Sequence, residues 1–155
     1  MSSRIPMQEV SMACKTIPKQ LSVVGIGIDM QSIEQLRQAL ERQGERMIAK
    51  VFTAQEREYC LSHANAAQHF AARWAVKEAF YKAMSGELSI PYRFVDVETR
   101  RTAHGKPYLF LYGALHEHAV RHRLDFHISL SHSGEYAAGI VLVTRPAEPG
   151  KELAT

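Results

Sequence analysis

The order in which apolar and polar positions recur along the chain predicts one strand, then a block of helices, then mostly strands. Residues 21–28 are apolar and β-branched, which is typical of a buried strand. Apolar residues three and four positions apart predict a helix over residues 31–43 and a longer one over residues 70–83. The later predicted elements are strands over residues 93–101, 108–112, 125–132 and 136–143 and a helix over residues 113–123. Because strands and helices do not alternate, the pattern indicates an α+β fold.

Short-range signals mark where several of these helices begin and end. Thr53 and Glu56 have the spacing of a capping box, which predicts a short helix starting there. Asn65 is a candidate N-cap for the long helix, and Gly44 is a candidate C-cap for the first one. The long helix is therefore expected to begin after Asn65 and to end near Met84.

Length and composition indicate a single globular domain. The chain has 155 residues, of which 46% are hydrophobic and 23% are charged. We expect the domain over residues 21–144, a flexible N-terminal extension over residues 1–20 and a flexible C-terminal tail over residues 145–155, because both ends contain Pro and lack periodicity. The formal net charge of +3 is too small and too scattered to predict nucleic-acid binding. No apolar run has the length of a membrane span, and the N-terminus lacks the apolar core of a secretory signal.

The cysteines point to a reducing compartment. The chain has two, Cys14 and Cys60, and they lack the spacing of a metal site. A disulfide between them is not expected, because Cys14 lies in the predicted extension and Cys60 at the end of a short helix. A cytoplasmic protein fits this cysteine usage.

The long helix combines a nearly continuous apolar surface with four charges. Such a helix is usually buried, and buried charges must be paired or must meet a ligand or a metal. Glu78 and Lys82 are one turn apart on a side lined by alanines, and Arg73 and Lys77 are one turn apart on another side. One interpretation is two surface ion pairs of ordinary kind. The aromatic residues of the same helix favour the other interpretation, a partly buried functional site.

Asp29 directly follows the first predicted strand. It is equally well placed as the N-cap of the next helix and as a site residue. Two carboxylates from separate elements, Asp29 and Glu78, would suit a hard cation such as Mg²⁺, which is completed by water and substrate phosphates. Basic side chains and a histidine that would meet those phosphates are Arg73, Lys77, Lys82, Lys106 and His132. The residues alone thus favour Mg²⁺-assisted phosphoryl or nucleotidyl transfer, and neither a P-loop nor a dinucleotide-binding glycine motif is present.

Five stretches, in this order, resemble one family. The set is similar to holo-[acyl-carrier-protein] synthase, the small class of 4′-phosphopantetheinyl transferases, over roughly residues 22–143. The pairing of the first and third stretches is the specific part of the resemblance. The stretches are VGIGID (24–29), FTAQEREYC (52–60), FAARWAVKEAFYKA (70–83), HGKPYLFL (104–111) and ISLSHSGEYAAGIVLV (128–143).

The resemblance implies a fold, a reaction and a set of roles. The expected fold is an antiparallel sheet packed on the long central helix, in a homotrimer with active sites between subunits. The implied reaction moves the 4′-phosphopantetheine arm of coenzyme A to a serine of apo acyl carrier protein, releases adenosine 3′,5′-bisphosphate and serves fatty-acid biosynthesis. Mg²⁺ would be held by Asp29 and Glu78, and Lys82 would neutralise or protonate the leaving phosphate. The best candidate base for the serine is Glu78 or a metal-bound water that it orients. The implied coenzyme A contacts are Arg73, Lys77, Lys106, Ser131 and His132.

Two positions depart from the family's pattern. After the Asp, the family usually has an acidic residue three positions on and an Arg six positions on, where this chain has Ser32 and Gln35. That Arg is associated with docking of the acidic carrier protein, so the carrier preference is open. Two other readings remain: a catalytically weak carrier-binding subunit with the same fold, and an unrelated Mg²⁺-dependent nucleotide-binding protein.

Overall fold

A computed structural model describes residues 20–147, and the α+β class predicted from the sequence is confirmed. Within residues 20–147, four helices and five strands follow one another in mixed order, with one short 3-10 helix. The elements are β1 (Leu21–Ser32), α1 (Ile33–Val51), α2 (Ala54–Leu61), α3 (Ala66–Met84), the 3-10 helix Phe94–Asp96, β2 (Val97–Arg101), β3 (Pro107–Leu111), α4 (Gly113–Arg121), β4 (Asp125–Ser133) and β5 (Tyr136–Pro146).

The antiparallel sheet and the central helix are as predicted. The main sheet has the strand order β1-β5-β4, and β2 pairs with β3 in a separate hairpin. α3 packs against β1 and β5 and is buried on most of its surface, including six of its alanines and Phe80. Asn65 is its N-cap: the Asn65 side chain accepts a hydrogen bond from the backbone N–H of Gln68. The predicted capping box of α2 is also present.

Glycines bring β1 and β5 into backbone contact with α3. A Cβ atom added at Gly27 would lie 1.9 Å from the carbonyl oxygen of Ala79, and one added at Gly139 would lie 2.6 Å from the backbone nitrogen of Val76. No larger residue fits there without moving the helix. The glycines of the VGIGID stretch therefore set how closely the helix and the strand approach.

A bulge in β1 decides which side chains face α3. The pairing of β1 with β5 shifts register between Val23 and Gly25. Beyond the bulge, Gly27 and Asp29 lie on the helix side, since successive strand residues alternate between faces. Apolar residues from both sides of the bulge share the opposite face, where each is between 56% and 66% exposed. This exposed row, called the β1 row below, consists of Leu21, Val23, Ile26, Ile28 and Met30.

The ends of the main sheet differ from the prediction. β5 runs to Pro146, so Arg145 and Pro146 belong to the domain and not to a tail, because they pair with Ser22 and Leu21 of β1. The backbone N–H of Ala147 also donates to the carbonyl of Gln20 at 2.7 Å. The remainder of the expected extension and tail, residues 1–19 and 148–155, lies outside the described residues.

A buried polar network ties β2 to its neighbours. Glu98 accepts hydrogen bonds from the guanidinium of Arg100 and from the Tyr112 hydroxyl, the latter at 3.0 Å. Burial raises the pKa of Glu98, but hydrogen bonds from Thr53, Arg100 and Tyr112 together lower it below its usual range. The network holds the charged form of this carboxyl in the folded protein.

Between residues 20 and 147, no helix is long and apolar enough to cross a membrane.

Candidate active site

Asp29, Glu78 and Lys82 meet where β1 crosses α3. Asp29 faces the helix, and Glu78 and Lys82 stand one turn apart on it. Lysine side chains on a helix lean toward its N-terminus, which carries the Lys82 ammonium back toward the strand. Lys82 Nζ lies 2.8 Å from Asp29 Oδ1 and 3.0 Å from the carbonyl oxygen of Ile28. The three residues singled out from the sequence thus form one group.

The alternative reading of Asp29 as a helix cap is wrong. β1 continues three residues beyond Asp29, and the N-cap of α1 is Ser32, whose hydroxyl accepts from the backbone N–H of Gln35 at 3.2 Å. Ser32, which departs from the family's pattern, therefore has a capping role here. Asp29 is left as a strand residue whose carboxylate is aimed at α3.

The electrostatics of the group favour a cation. Burial raises the pKa of Glu78, the negative charge of Asp29 raises it further, and Lys82 lowers it. Two carboxylates that repel each other in a partly buried place bind a cation well. Mg²⁺ is typically held by one or two carboxylates with water and phosphate oxygens, so this donor set fits it. No group of three or more His, Cys, Asp or Glu side chains placed to hold a metal occurs within residues 20–147.

The expectation that Lys77 contacts a phosphate is wrong. Its side chain is only 1% exposed, and Nζ lies 2.9 Å from Glu56 Oε2. The ammonium also donates to the carbonyl oxygens of Phe94, at 2.9 Å, and of Val97. All three protons of the ammonium are therefore used inside the protein. Lys77 joins α3 to α2 and to the start of β2, and the desolvation that accompanies burial lowers its pKa.

Arg73 lies on another side of α3, about 140° around the helix axis from Glu78. It is buried, and its guanidinium carbon sits 4.0 Å from the ring centroid of Tyr59. It borders an open cavity of about 340 Å³ together with Arg100 and Arg101. Two buried polar atoms of this lining, Arg73 Nε and Thr99 Oγ1, have no hydrogen-bond partner within the described protein. The unpartnered Nε of Arg73 is a donor for an anion in this cavity, whereas the charge of Arg100 is already offset by Glu98.

The remaining predicted contacts are near the sheet ends. Ser131 and His132 border a cavity of about 210 Å³ together with Met30. His132 Nε2 lies 2.8 Å from the side-chain amide nitrogen of Gln68 on α3. Lys106 is exposed in the turn between β2 and β3. The structure therefore unites Asp29, Glu78 and Lys82 and leaves Lys106 apart from them.

Sequence reasoning missed two side chains of the group. Gln31 Nε2 donates to Asp29 Oδ2 at 2.9 Å. The hydroxyl of Tyr92 is buried without a partner among the described residues, and burial together with the charge of Glu78 raises the pKa of Tyr92 to about 12. Gln31 was detectable in principle, because it is two positions from Asp29 and shares its face. Nothing in the sequence signals Tyr92, which reaches the group from a loop.

Comparison with known proteins places these residues in a family. A sequence profile of the 4′-phosphopantetheinyl transferase superfamily matches residues 25–141. The holo-[acyl-carrier-protein] synthase of Geobacter metallireducens is 38% identical over 124 residues, which are 79% of this chain and 98% of that protein. The structure of Mycobacterium tuberculosis acyl carrier protein synthase superposes with a TM-score of 0.65 at 34% identity, covering 81% of this chain and 100% of the other.

A third relative was solved with a ligand. The holo-(acyl-carrier-protein) synthase of Bacillus anthracis, in complex with coenzyme A (3′,5′-ADP), superposes with a TM-score of 0.65 at 27% identity and covers 79% of this chain and 97% of that one. The resemblance identified from five sequence stretches is confirmed, and so is the prediction of an enzyme of the holo-[acyl-carrier-protein] synthase kind. The chain belongs to the 4′-phosphopantetheinyl transferase superfamily.

Proposed function

We propose that this protein transfers the 4′-phosphopantetheine group of coenzyme A to a serine of apo acyl carrier protein in a Mg²⁺-dependent reaction that releases adenosine 3′,5′-bisphosphate. One observation carries the proposal: Asp29, Glu78 and Lys82 meet at the crossing of β1 and α3. Relatives named as holo-[acyl-carrier-protein] synthases, one of them solved with coenzyme A, support the choice of donor and acceptor. Fatty-acid biosynthesis and a cytoplasmic location are part of the proposal.

Each residue of the group has a role in this scheme. Asp29 and Glu78 would hold Mg²⁺, which when bound supplies positive charge to the pyrophosphate of coenzyme A. Lys82 is half exposed, so its ammonium has room to meet the phosphate oxygen on which charge develops as the leaving group departs. The nucleophile is the partner's serine, and Glu78, or a metal-bound water that it orients, would accept the serine proton.

The cavity beside Arg73 is the proposed binding site for a phosphate of coenzyme A. Three arginines border it, and the unpartnered Nε of Arg73 needs an acceptor. Salt bridges from Arg to phosphate are strong and directional. Ser131, His132 and Lys106 remain proposed contacts for the same substrate.

A homotrimer with sites between subunits is proposed from two features. The β1 row leaves five large apolar side chains more than half exposed on one strand, and such a patch typically marks a protein interface. The Arg73 cavity and the Asp29–Glu78 pair lie on different sides of α3, so one subunit does not present both to a compact ligand. If neighbouring subunits pack through the β1 row, one subunit would contribute the Arg73 cavity and the other the Asp29–Glu78 pair to the same active site.

The second half of α1 is proposed as the docking surface for the carrier protein. Arg46 and Lys50 border a cavity of about 350 Å³ that also includes Met47 and Val51. Basic side chains around a small apolar depression complement an acidic helix with an apolar residue on its face. Earlier in α1, Arg37 is engaged by Glu34 at 2.7 Å. The positive charges proposed for docking, those of Arg46 and Lys50, thus lie farther along α1 than the position of the family's usual Arg.

The test is the intact mass of a fatty-acid carrier protein after incubation with the enzyme, coenzyme A and Mg²⁺. We expect a gain of one phosphopantetheine group, which chelation of the metal abolishes. Glu78→Gln should abolish the gain and leave the circular dichroism spectrum unchanged. Coenzyme A binding without any mass gain, on fatty-acid and other acidic carriers alike, would contradict transfer and favour a carrier-binding subunit.

A further inference from the structure

Both carboxylate oxygens of Asp29 are already engaged by side chains of the protein. Lys82 Nζ donates to Oδ1 at 2.8 Å, and Gln31 Nε2 donates to Oδ2 at 2.9 Å. Either oxygen that a metal could use therefore already accepts a hydrogen bond, from the ammonium at Oδ1 or from the amide at Oδ2. A cation can reach Asp29 only by sharing or replacing one of these contacts.

The two contacts are unequal in how easily they are replaced. Gln31 is neutral, partly buried and only two residues from Asp29, so a cation at the other oxygen does not repel it. Lys82 is half exposed and carries a positive charge, and it also holds the carbonyl of Ile28. An ion pair exposed to this extent contributes little stability and exchanges readily. The ammonium, and not the amide, is the partner that a second cation would displace.

We propose that Lys82 and the divalent cation are alternative counter-ions of Asp29, so that cation binding displaces the Lys82 ammonium from Oδ1 and releases it toward the substrate. The proposal rests on the cation site proposed above. Gln31 keeps Oδ2 in place and acts as a positioning residue. Before the cation is present, Lys82 offsets the charges of both Asp29 and Glu78 and is not free to meet a phosphate. Loading of the cation and availability of the lysine are thereby coupled.

The coupling has an unusual consequence. A lysine whose ammonium lay far from Asp29 would leave cation affinity nearly unchanged when it is removed. A lysine that competes for the same oxygen would weaken binding while present, so its removal should tighten binding. The loss of an exposed ion pair and of the repulsion between an ammonium and a divalent ion nearby predicts an increase in affinity of about three- to thirtyfold.

The test is a titration with Mn²⁺ alone, in which electron paramagnetic resonance counts the free ion. Lys82→Met is compared with the wild-type protein and with Arg121→Met, which removes the same charge from an exposed position on α4. We expect about three- to thirtyfold tighter binding for Lys82→Met and less than a twofold change for Arg121→Met. Lys82→Arg keeps the positive charge, so its Mn²⁺ affinity should lie within about threefold of that of the wild type.

Each outcome decides a different point. Equal or weaker binding by Lys82→Met, with an unchanged melting temperature, overturns the exchange and leaves the proposed function standing if the wild type still modifies the carrier. An Arg121→Met effect as large as that of Lys82→Met would mean a general charge effect and also overturns it. Absence of Mn²⁺ binding by every variant, together with absence of carrier modification, overturns the cation site and the proposed function with it.

Discussion

Two lysines of α3 should respond very differently to the same substitution. Lys77 Nζ lies 2.9 Å from a Glu56 oxygen and Lys82 Nζ lies 2.8 Å from an Asp29 oxygen, so the two ion pairs have nearly the same length. Their surroundings differ: the Lys77 side chain is 1% exposed and the Lys82 side chain is 50% exposed. Comparing Lys77→Met with Lys82→Met therefore isolates the effect of burial.

The expected loss for Lys77→Met follows from what would stay behind. Glu56 would keep its charge in a dry place with only the backbone N–H groups of Thr53 and Thr99 as donors. The carbonyls of Phe94 and Val97 would lose their donor as well. Removing one member of a buried pair in this way costs about 3–5 kcal/mol of unfolding free energy. Lys82→Met removes an exposed ion pair, so it should lower the unfolding free energy by about 1 kcal/mol or less.

The measurement is urea unfolding followed by circular dichroism, at one protomer concentration because assembly would shift the midpoint. Lys77→Met with Glu56→Gln should be less destabilised than the sum of the two single variants by at least about 1 kcal/mol. A loss below about 1 kcal/mol for Lys77→Met would refute the reasoning. So would unchanged stability combined with a large rise in KM for coenzyme A, since that would make Lys77 a substrate contact.

Three further predictions concern packing, pH and an unpartnered hydroxyl. Gly27→Ala should prevent native folding or lower the melting temperature sharply, because its Cβ would meet the Ala79 carbonyl at 1.9 Å; a native-like melting curve would contradict this. The wild-type protein should lose unfolding free energy as pH falls from the ordinary carboxyl pKa of 4.5 toward the lower folded pKa of Glu98. Glu98→Gln should reduce this dependence of the unfolding free energy on pH. An equal dependence in the variant and the wild type would contradict the lowered pKa of Glu98. Tyr92→Phe should leave the unfolding free energy unchanged or raise it by up to about 1 kcal/mol, because the hydroxyl it removes has no partner within the described protein; a loss above about 1 kcal/mol would reveal a missed hydrogen bond.

The sequence predicted those features that depend on local periodicity or on neighbouring residues. The capping residues Thr53 and Asn65 were found because a cap is decided within about four residues. α3 was found because it is long and strongly apolar. The helix beginning at Ile33 was placed two residues too early, since the pattern could not tell that β1 continues to Ser32.

The roles of individual charges depended on contacts distant in sequence. Glu56 was recognised as a capping residue, yet its carboxylate also neutralises Lys77 from another helix. Lys77 and Glu78 are neighbours in sequence but point about 100° apart, so one is buried in an ion pair and the other faces Asp29. The β1 bulge likewise has no sequence signal, although it places Asp29 on the helix side.

The contact between α3 and β1 is made by backbone atoms, with glycine on the strand and alanine on the helix. Most interior distances in a protein change a little whenever a side chain of different volume is substituted, and the surrounding elements shift to fill the space. At Gly25 and Gly27 the strand has no side chain to vary, so the separation there is fixed by the van der Waals radii of main-chain atoms. Substitutions elsewhere in the core therefore leave the distance between Asp29 on β1 and Glu78 on α3 unchanged. A lineage could replace much of its interior and still keep the two carboxylates at the same separation.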